Sequence, residues 1–234
     1  MTKHGLTERD LREVPAYTIV EVAGYLGIPA ATLRSWVVGR MYPVADGERF
    51  FRPIIGIADK ERKRLSFINL VEAHVLNAIR RTHHIALPKV RTALDALKRQ
   101  FNSARPLVDR QFATDGVNLF IEHYGRLMNI TQPGQYAMRE ILSQHLKLIR
   151  RDPHGVPKRL FLFPARAART DREPPIMIDP RISFGRPVLV GTGLATTALA
   201  QRFEAGETMD ELAQDYGRPR AQIEEAIRFE RRAA

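Results

Sequence analysis

The 234-residue chain contains no cysteine, so its sequence offers neither a disulfide framework nor a thiolate zinc site. A reducing compartment suits such a chain. The sequence also has no run of 18 apolar residues and no signal-peptide pattern after Met1. We therefore expect a cytoplasmic protein that does not enter a membrane.

Acidic residues are few relative to basic ones: 26 Asp and Glu stand against 37 Lys and Arg, a formal net charge of +11. An excess of that size favours binding to polyanions, of which nucleic acid is the first candidate. With 44% hydrophobic and 27% charged residues, the composition is otherwise ordinary, and the chain can bury a core. The length predicts one large domain or two modest ones.

Two short helices joined by a glycine are predicted between residues 18 and 40. Apolar residues three and four positions apart, from Ile19 to Leu26, form one face of the first helix. Gly27 permits the positive φ of a sharp turn, and Pro29 suits the first position of the second helix. This pattern is typical of a helix-turn-helix, whose second helix enters the major groove of DNA.

The outward face of the second helix supplies the first predicted DNA contacts. Thr32, Arg34 and Ser35 would approach the major groove, whereas Trp36 would pack the helix and turn its indole edge towards a phosphate. Further candidates are Thr18, Arg40, Lys60, Arg62, Lys63 and Arg64. Alternatively, the polar residues of this face only solvate a small helical domain.

A basic hairpin is predicted within residues 41–66. Residues 50–57 form an apolar strand, residues 58–63 form a charged tip, and the chain returns through residues 64–67. Beside a helix-turn-helix, this tip would contact phosphates and add affinity rather than sequence specificity. The alternative is a solvated loop. Two amphipathic helices follow, the first with an apolar stripe from Leu70 to Ile79 and the second restarting at Leu87-Pro88.

The remaining chain divides into a mixed middle segment and a helical end. Residues 112–121 predict a tight turn between short strands, residues 136–149 a helix, residues 160–164 a strand and residues 165–175 a linker. Three helices are then expected over residues 197–205, 208–216 and 220–232. Thr208 and Glu211 have the spacing of a capping box, and the last two helices have that of a second helix-turn-helix.

No set of catalytic or metal-binding residues stands out. Adjacent helical residues such as His83 and His84 point about 100° apart and do not share a face. Residues 191–193 lack the Gly-Lys-Ser/Thr that completes a phosphate loop. Asp179 precedes Pro180, as is typical of a turn. We therefore expect no enzyme, no cofactor and no bound metal.

Residues 20–36, VEVAGYLGIPAATLRSW, resemble the N-terminal helix-turn-helix of the MerR family of bacterial regulators. In that family a wing follows, and then a helix that carries arginines. Residues 65–97 correspond to the helical part after the wing. The family usually has Ser or Thr before the helical proline, where this chain has Ile28.

Residues 176–230 resemble a small bacterial domain family of unknown function, whose members occur as VapB-like antitoxins or beside PIN-type toxin genes. The shared residues are Asp179, Pro180, Gly185, Arg186, Pro187, Gly191, Thr192, Gly206 and Tyr216. Many members have Arg where this chain has Gly193. Together, the MerR-like start and this end resemble the longer VapB-like antitoxins.

The resemblance implies a type II antitoxin that neutralises a PIN-type ribonuclease toxin and represses its own operon as a homodimer on operator DNA. Because a PIN active site is acidic, an inserted cation would block it. The candidates by charge are Arg181, Arg186, Arg228, Arg231 and Arg232. A MerR-type regulator with a ligand-sensing middle segment is the alternative, and an excisionase-type or architectural DNA binder is a third class.

The expected fold is mainly α with small β hairpins. We expect a MerR-like winged helix over residues 1–104, an α/β middle segment with linker over residues 105–170, and a trihelical, helix-turn-helix-like unit over residues 171–234.

Overall fold

The computed structural model describes residues 8–44, 46–81, 87–128, 130–162 and 174–233. Within these ranges the chain is mainly α-helical with two small antiparallel sheets, which confirms the predicted fold class. The helices are α1 (Glu8–Glu13), α2 (Ile19–Leu26), α3 (Ala30–Val37), α4 (Phe67–Arg81), α5 (Leu87–Phe101), α6 (Val117–Met128), α7 (Gln132–Lys147), α8 (Thr196–Glu204), α9 (Met209–Asp215) and α10 (Arg220–Ala233). The strands are β1 (Arg40–Val44), β2 (Gly47–Phe51), β3 (Ile149–Arg151), β4 (Pro157–Leu162), β5 (Ile176–Ile178) and β6 (Val188–Leu189).

The predicted helix-turn-helix is formed by α2 and α3. Thr18 caps α2: its hydroxyl accepts a hydrogen bond from the Glu21 amide at 3.1 Å, and the Glu21 carboxylate accepts one from the Thr18 amide at 2.7 Å. Gly27 makes the turn with φ of 60°. Pro29 takes the N-cap position of α3 rather than its predicted first helical position, and it contributes no side-chain cap.

Helix α4 lies at the centre of the core and packs against α1, α2, α7 and β4. Its predicted apolar stripe is buried, with Leu70, Val71, Val75 and Ile79 fully enclosed. Burial of such side chains contributes roughly 1.5–3 kcal/mol each, so this helix is a major source of the free energy of folding. Within the described residues, no helix combines the length and apolarity that a membrane span needs.

The hairpin after the helix-turn-helix lies earlier in the chain than predicted. Strands β1 and β2 pair antiparallel, with Arg40 opposite Phe51 and Val44 opposite Gly47. The predicted strand at residues 50–57 was wrong, because β2 ends at Phe51; β1 and β2 meet across Val44 and Gly47, and Gly47 has φ of 122°. The predicted charged tip at residues 58–63 corresponds to a turn that lies outside this hairpin. Residues 59–64 form a separate turn, closed by backbone hydrogen bonds in both directions at 3.1 and 3.0 Å.

Residues 112–121, predicted as a turn between strands, are helical. A π-helical stretch, Phe112–Gly116, continues directly into α6. The prediction was wrong because the aromatic side chains follow a helical spacing: Phe120 stacks on Tyr124 four residues later, and both are fully buried. Gly116 serves packing rather than a turn, since a Cβ there would lie 3.0 Å from the Phe101 ring.

The four-stranded sheet has the order β3-β4-β5-β6. In it, β4 from the middle segment pairs with β5 from the C-terminal segment, with Leu160 opposite Ile178 and Leu162 opposite Ile176. The expected division at residues 170/171 therefore runs through one sheet. The predicted helix at residues 136–149 and strand at residues 160–164 correspond to α7 and the end of β4. His83, His84 and most of the predicted linker lie outside the described residues.

The three predicted C-terminal helices are present as α8, α9 and α10, and the Thr208–Glu211 capping box is formed. Helix α10 packs against α8 and α9 and also against α2 of the helix-turn-helix. There the Phe229 and Tyr25 rings stack with centroids 6.2 Å apart. A Cβ on Gly24 would collide with the backbone of Ala233, so the two helices approach closely. The C-terminal unit thus lies against the first helix of the motif.

Candidate nucleic-acid interface

The second helix of the motif, α3, exposes a single cation. Arg34 is exposed and, among the described residues, forms no ion pair. Thr32 is half-buried beside it. Ser35 is a correction: it is only 7% exposed, and its hydroxyl donates to the Thr32 carbonyl at 2.7 Å. Ser35 therefore satisfies the helix backbone and does not face the major groove.

Trp36 is the second correction. Its side chain is 1% exposed, and its indole nitrogen is buried without a hydrogen-bond partner, so it cannot reach a phosphate. It packs instead: the Arg80 guanidinium lies 5.4 Å from the ring centroid, and the Trp36 carbonyl accepts from the Ile54 amide at 2.8 Å. Trp36 therefore fixes α3 against α4 and the segment after the hairpin.

Gly39 sets the position of the hairpin relative to α3. Its φ of 89° is rarely adopted by residues with a side chain, and a Cβ there would collide with the Phe51 carbonyl. The chain therefore turns from α3 into β1 within two residues, Val38 and Gly39. This geometry places Arg40 at the start of β1, opposite Phe51 in the hairpin.

Several arginines lie on or beside the hairpin, and we call Arg40, Arg49, Arg52, Arg80 and Arg91 the arginine cluster. Arg40, Arg49 and Arg52 are exposed. Partial burial and then the charge of Arg40 lower the pKa of the Arg80 guanidinium, so these two cations lie within electrostatic reach of each other. Arg91 lies over the Phe51 ring at 4.6 Å and donates to the Arg52 carbonyl. Several neighbouring cations form a surface suited to an anion such as the DNA backbone.

The sequence reasoning missed four members of this cluster. The Asp46-Gly47 pair is a sequence signal that could have predicted two of them, since it marks the start of the second strand. Arg49 lies on that strand and Arg52 directly after it. Arg80 and Arg91 come from α4 and α5, and no local pattern connects those helices with the hairpin.

The other predicted DNA contacts lie near the start of α2. Lys60, Arg62 and Lys63 are exposed in the turn of residues 59–64, and Arg64 is half-buried, with its guanidinium 3.4 Å from the Ala16 carbonyl. Thr18, also predicted, is the N-cap of α2. The turn is thus a second basic element, separate from the hairpin.

The predicted toxin-binding arginines differ in whether they already make ion pairs or ring contacts within the chain. Arg181 donates to the buried Asp179 carboxylate, as does Arg159, both at 3.1 Å. Burial opposes ionisation of Asp179, but these hydrogen bonds outweigh it and hold its pKa below the usual range. Arg228 pairs with Glu224 and Glu225, Arg231 lies over the Phe203 ring, and Arg232 lies over the Phe229 ring. Arg186 is exposed and, within the described residues, has no ion pair.

A shallow cleft between α5 and α6 bears on the ligand-sensing alternative. It is lined by residues such as Leu97, His123 and Arg126, and its volume is about 250 Å³. Small-molecule sites usually measure about 300–1,000 Å³ and are mostly enclosed. The described residues also contain no group of three side chains able to hold a metal ion. The cleft therefore gives the ligand-sensing alternative no support.

Two segments match described families. Residues 15–94 match a family described as "Putative DNA-binding HTH domain", and they include α2, α3, the hairpin and α4. Residues 176–229 match "Protein of unknown function (DUF433)", which spans β5 through most of α10. These are the segments in which the sequence predicted a DNA-binding motif and a small domain of unknown function.

Relatives from Mycobacterium tuberculosis extend the similarity to nearly the whole chain. The chain is 29% identical to "Putative antitoxin VapB45", over 95% of this chain and 97% of that protein. It is 25% identical to "Uncharacterized protein Rv2308", over 93% of this chain and 90% of that protein. The crystal structure of Rv2018 from the same organism is similar with a TM-score of 0.66 at 25% identity, covering 92% of this chain and 97% of that one. The chain is thus similar along its length to a protein named as a putative antitoxin, and its N-terminal part matches a helix-turn-helix family described as putatively DNA-binding.

Proposed function

We propose that this protein is the antitoxin of a type II toxin–antitoxin pair, and that it neutralises a PIN-type ribonuclease and represses its own operon. The observation that carries the DNA-binding part is the exposed Arg34 on α3, the helix that the basic hairpin directly follows in the chain. An exposed arginine on the second helix of such a motif is placed to read a guanine edge, while the surrounding cations bind phosphates.

Two basic elements, the arginine cluster and the turn of residues 59–64, would both contribute to DNA binding. The hairpin of the arginine cluster directly follows α3, and the turn of residues 59–64 lies beside the start of α2, so both elements would bind the duplex backbone next to the reading helix. A homodimer would present two such helices about 34 Å apart, one turn of DNA, on a pseudo-palindromic operator. The net charge of +11 supports association with the phosphate backbone.

The antitoxin part is supported by the similarity to a protein named as an antitoxin over nearly the whole of both chains. The C-terminal unit and its basic residues are the region we assign to the toxin, because they lie away from α3 in sequence. An acidic PIN-type active site would attract such residues. The protein would act by binding alone, as a regulator without catalytic activity.

Substitution of Arg34 tests the DNA-binding part. We expect Arg34→Ala to reduce discrimination between operator and scrambled duplex by roughly 1–3 kcal/mol, because the bidentate hydrogen bonds to guanine could no longer form. Fluorescence anisotropy with both duplexes measures this difference. Arg139→Ala, which removes an exposed arginine on α7, is the matched control and should change neither affinity. Equal weakening on both duplexes would mean that Arg34 touches only phosphate.

Co-expression tests the antitoxin part. The proposal requires a PIN-type protein to be encoded beside this gene. The full-length protein should co-elute with it on size-exclusion chromatography and should restore growth when it is induced. A neighbouring PIN-type protein that neither binds nor is neutralised would contradict the proposal and favour a regulator without a toxin partner.

A further inference from the structure

One turn of the C-terminal unit presents a phenylalanine to solvent. Phe184 is 94% exposed, more than any other large apolar side chain among the described residues. It lies in a short turn, Ser183–Gly185, between β5 and β6. Isolated exposed apolar residues are common, but nearly complete exposure of an aromatic ring on a well-anchored turn is not.

The backbone of this turn is strained. Three consecutive residues, Ser183, Phe184 and Gly185, have φ of 47°, 55° and 76°. Only glycine adopts this left-handed region without a steric penalty, and a bulky residue there is an outlier. Such strain persists where the surrounding structure enforces it, and it is concentrated at binding and catalytic sites.

The surrounding structure does enforce it. The Gly185 amide donates to the Ile182 carbonyl at 2.9 Å, and the Ser183 hydroxyl donates to the Gly193 carbonyl at 2.6 Å. The Tyr17 hydroxyl, from the segment before α2, donates to the Gly185 carbonyl at 2.9 Å. The turn is therefore fixed both by its own unit and by the helix-turn-helix.

An exposed arginine follows Phe184 closely in the sequence. Arg186 is exposed and lies two residues after Phe184. Arg181, on the other side, is held by the buried Asp179 carboxylate. The turn thus offers one aromatic side chain on a fixed backbone and one exposed guanidinium, and aromatic residues and arginine are enriched at protein interfaces.

We infer that Phe184 is the anchor of the toxin interface, inserting into an apolar pocket of the toxin whose rim carries a carboxylate for Arg186. This inference rests on the proposed function and specifies its surface. Charge complementarity favours an acidic protein as the occupant, because this chain carries +11. If two copies met at this turn, their exposed Arg186 side chains would be brought together, and a phosphate backbone would gain nothing from an apolar ring.

The test compares Phe184→Asn with the wild type in the full-length protein. Asparagine tolerates the left-handed region, so the variant should fold with an unchanged or higher Tm. Its Kd for the neighbouring PIN-type protein, measured by calorimetry, should rise about 30-fold, as expected when a hot-spot residue is removed. Arg186→Ala should weaken the same binding, and Tyr136→Asn, which changes an exposed aromatic residue on α7, should not.

The outcomes separate this inference from the proposed function. If the wild type binds the toxin and Phe184→Asn binds equally well, the anchor assignment is wrong and the proposed function stands. If the wild type does not bind, the proposed toxin partner fails and this inference fails with it. Loss of operator affinity in Phe184→Asn with toxin binding intact would place the turn on DNA. Conversion of a dimer to a monomer, measured by light scattering, would place it against a second copy. Either result would overturn the inference.

Discussion

Glu72 is a carboxyl group on α4 that folding removes from water. It is 5% exposed, and its carboxylate accepts a hydrogen bond from the side-chain amide of Asn69 at 3.0 Å. Burial raises its pKa to about 7, against the smaller opposing effects of the Asn69 hydrogen bond and the Arg105 charge. Glu13 raises the pKa further, and Lys98 lowers it.

This shift makes the stability of the protein depend on pH. The carboxyl group titrates near 4.5 in the unfolded chain and near 7 in the folded one, so between these values the folded state binds more protons and stability falls as pH rises. Glu72→Gln keeps an acceptor for Asn69 and removes the charge. We expect it to be more stable than the wild type at pH 8 by about 3 kcal/mol, with little difference at pH 4.5.

Urea denaturation at several pH values measures the effect of Glu72→Gln. Glu61→Gln, which changes an exposed carboxyl group in the turn of residues 59–64, should follow the wild-type pH profile. A Glu72→Gln profile parallel to that of the wild type would contradict this prediction, because it would mean that the pKa of Glu72 is the same in the folded and the unfolded protein.

At the scale of elements, the hairpin and the turn of residues 59–64 make separable contributions to DNA binding. Alanine at Arg49 and Arg52 tests the hairpin, and alanine at Lys60, Arg62 and Lys63 tests the turn. Each set should lower affinity equally on all sequences and flatten the salt dependence by about 0.9 for each phosphate that the variant no longer neutralises. Anisotropy titrations in increasing salt measure the slopes. An unchanged slope would mean that the altered element faces solvent.

Elements with a clear helical period could be predicted from sequence, as α2, α4 and the three C-terminal helices were. The hairpin could also have been predicted, because the Asp46-Gly47 pair marks the end of its loop, where β2 begins. Residues 112–121 were harder, since Asp115-Gly116 resembles a turn and the helix there depends on packing between Phe101, Phe112 and Phe120. No local pattern predicts the arginine cluster, because its members come from three separate segments, the hairpin, α4 and α5.

At the scale of the whole molecule, the two ends of the chain support each other where α10 meets α2. Phe229→Ala removes a buried ring that stacks on Tyr25, and we expect it to destabilise the protein by about 3–5 kcal/mol. Because this stacking joins the two units, the amides of α2 should exchange hydrogen faster although the substitution lies in α10. Mass spectrometry of hydrogen exchange measures this.

A matched substitution identifies the coupling. Leu212→Ala also removes a fully buried side chain, but from α9, which packs against α8 and α10. It should destabilise the C-terminal unit with a smaller effect on α2. Faster exchange confined to residues 176–233 in Phe229→Ala would contradict the coupling and mean that the two ends unfold independently.

The pairing of β4 with β5 has a consequence for turnover. These strands precede and follow residues 163–173, and three residue pairs align across them, Leu160 with Ile178, Phe161 with Met177 and Leu162 with Ile176. A single peptide-bond cleavage within residues 163–173 would therefore leave two fragments held together by a buried sheet. A cellular protease would have to pull that sheet apart, rather than cut once, to remove the protein.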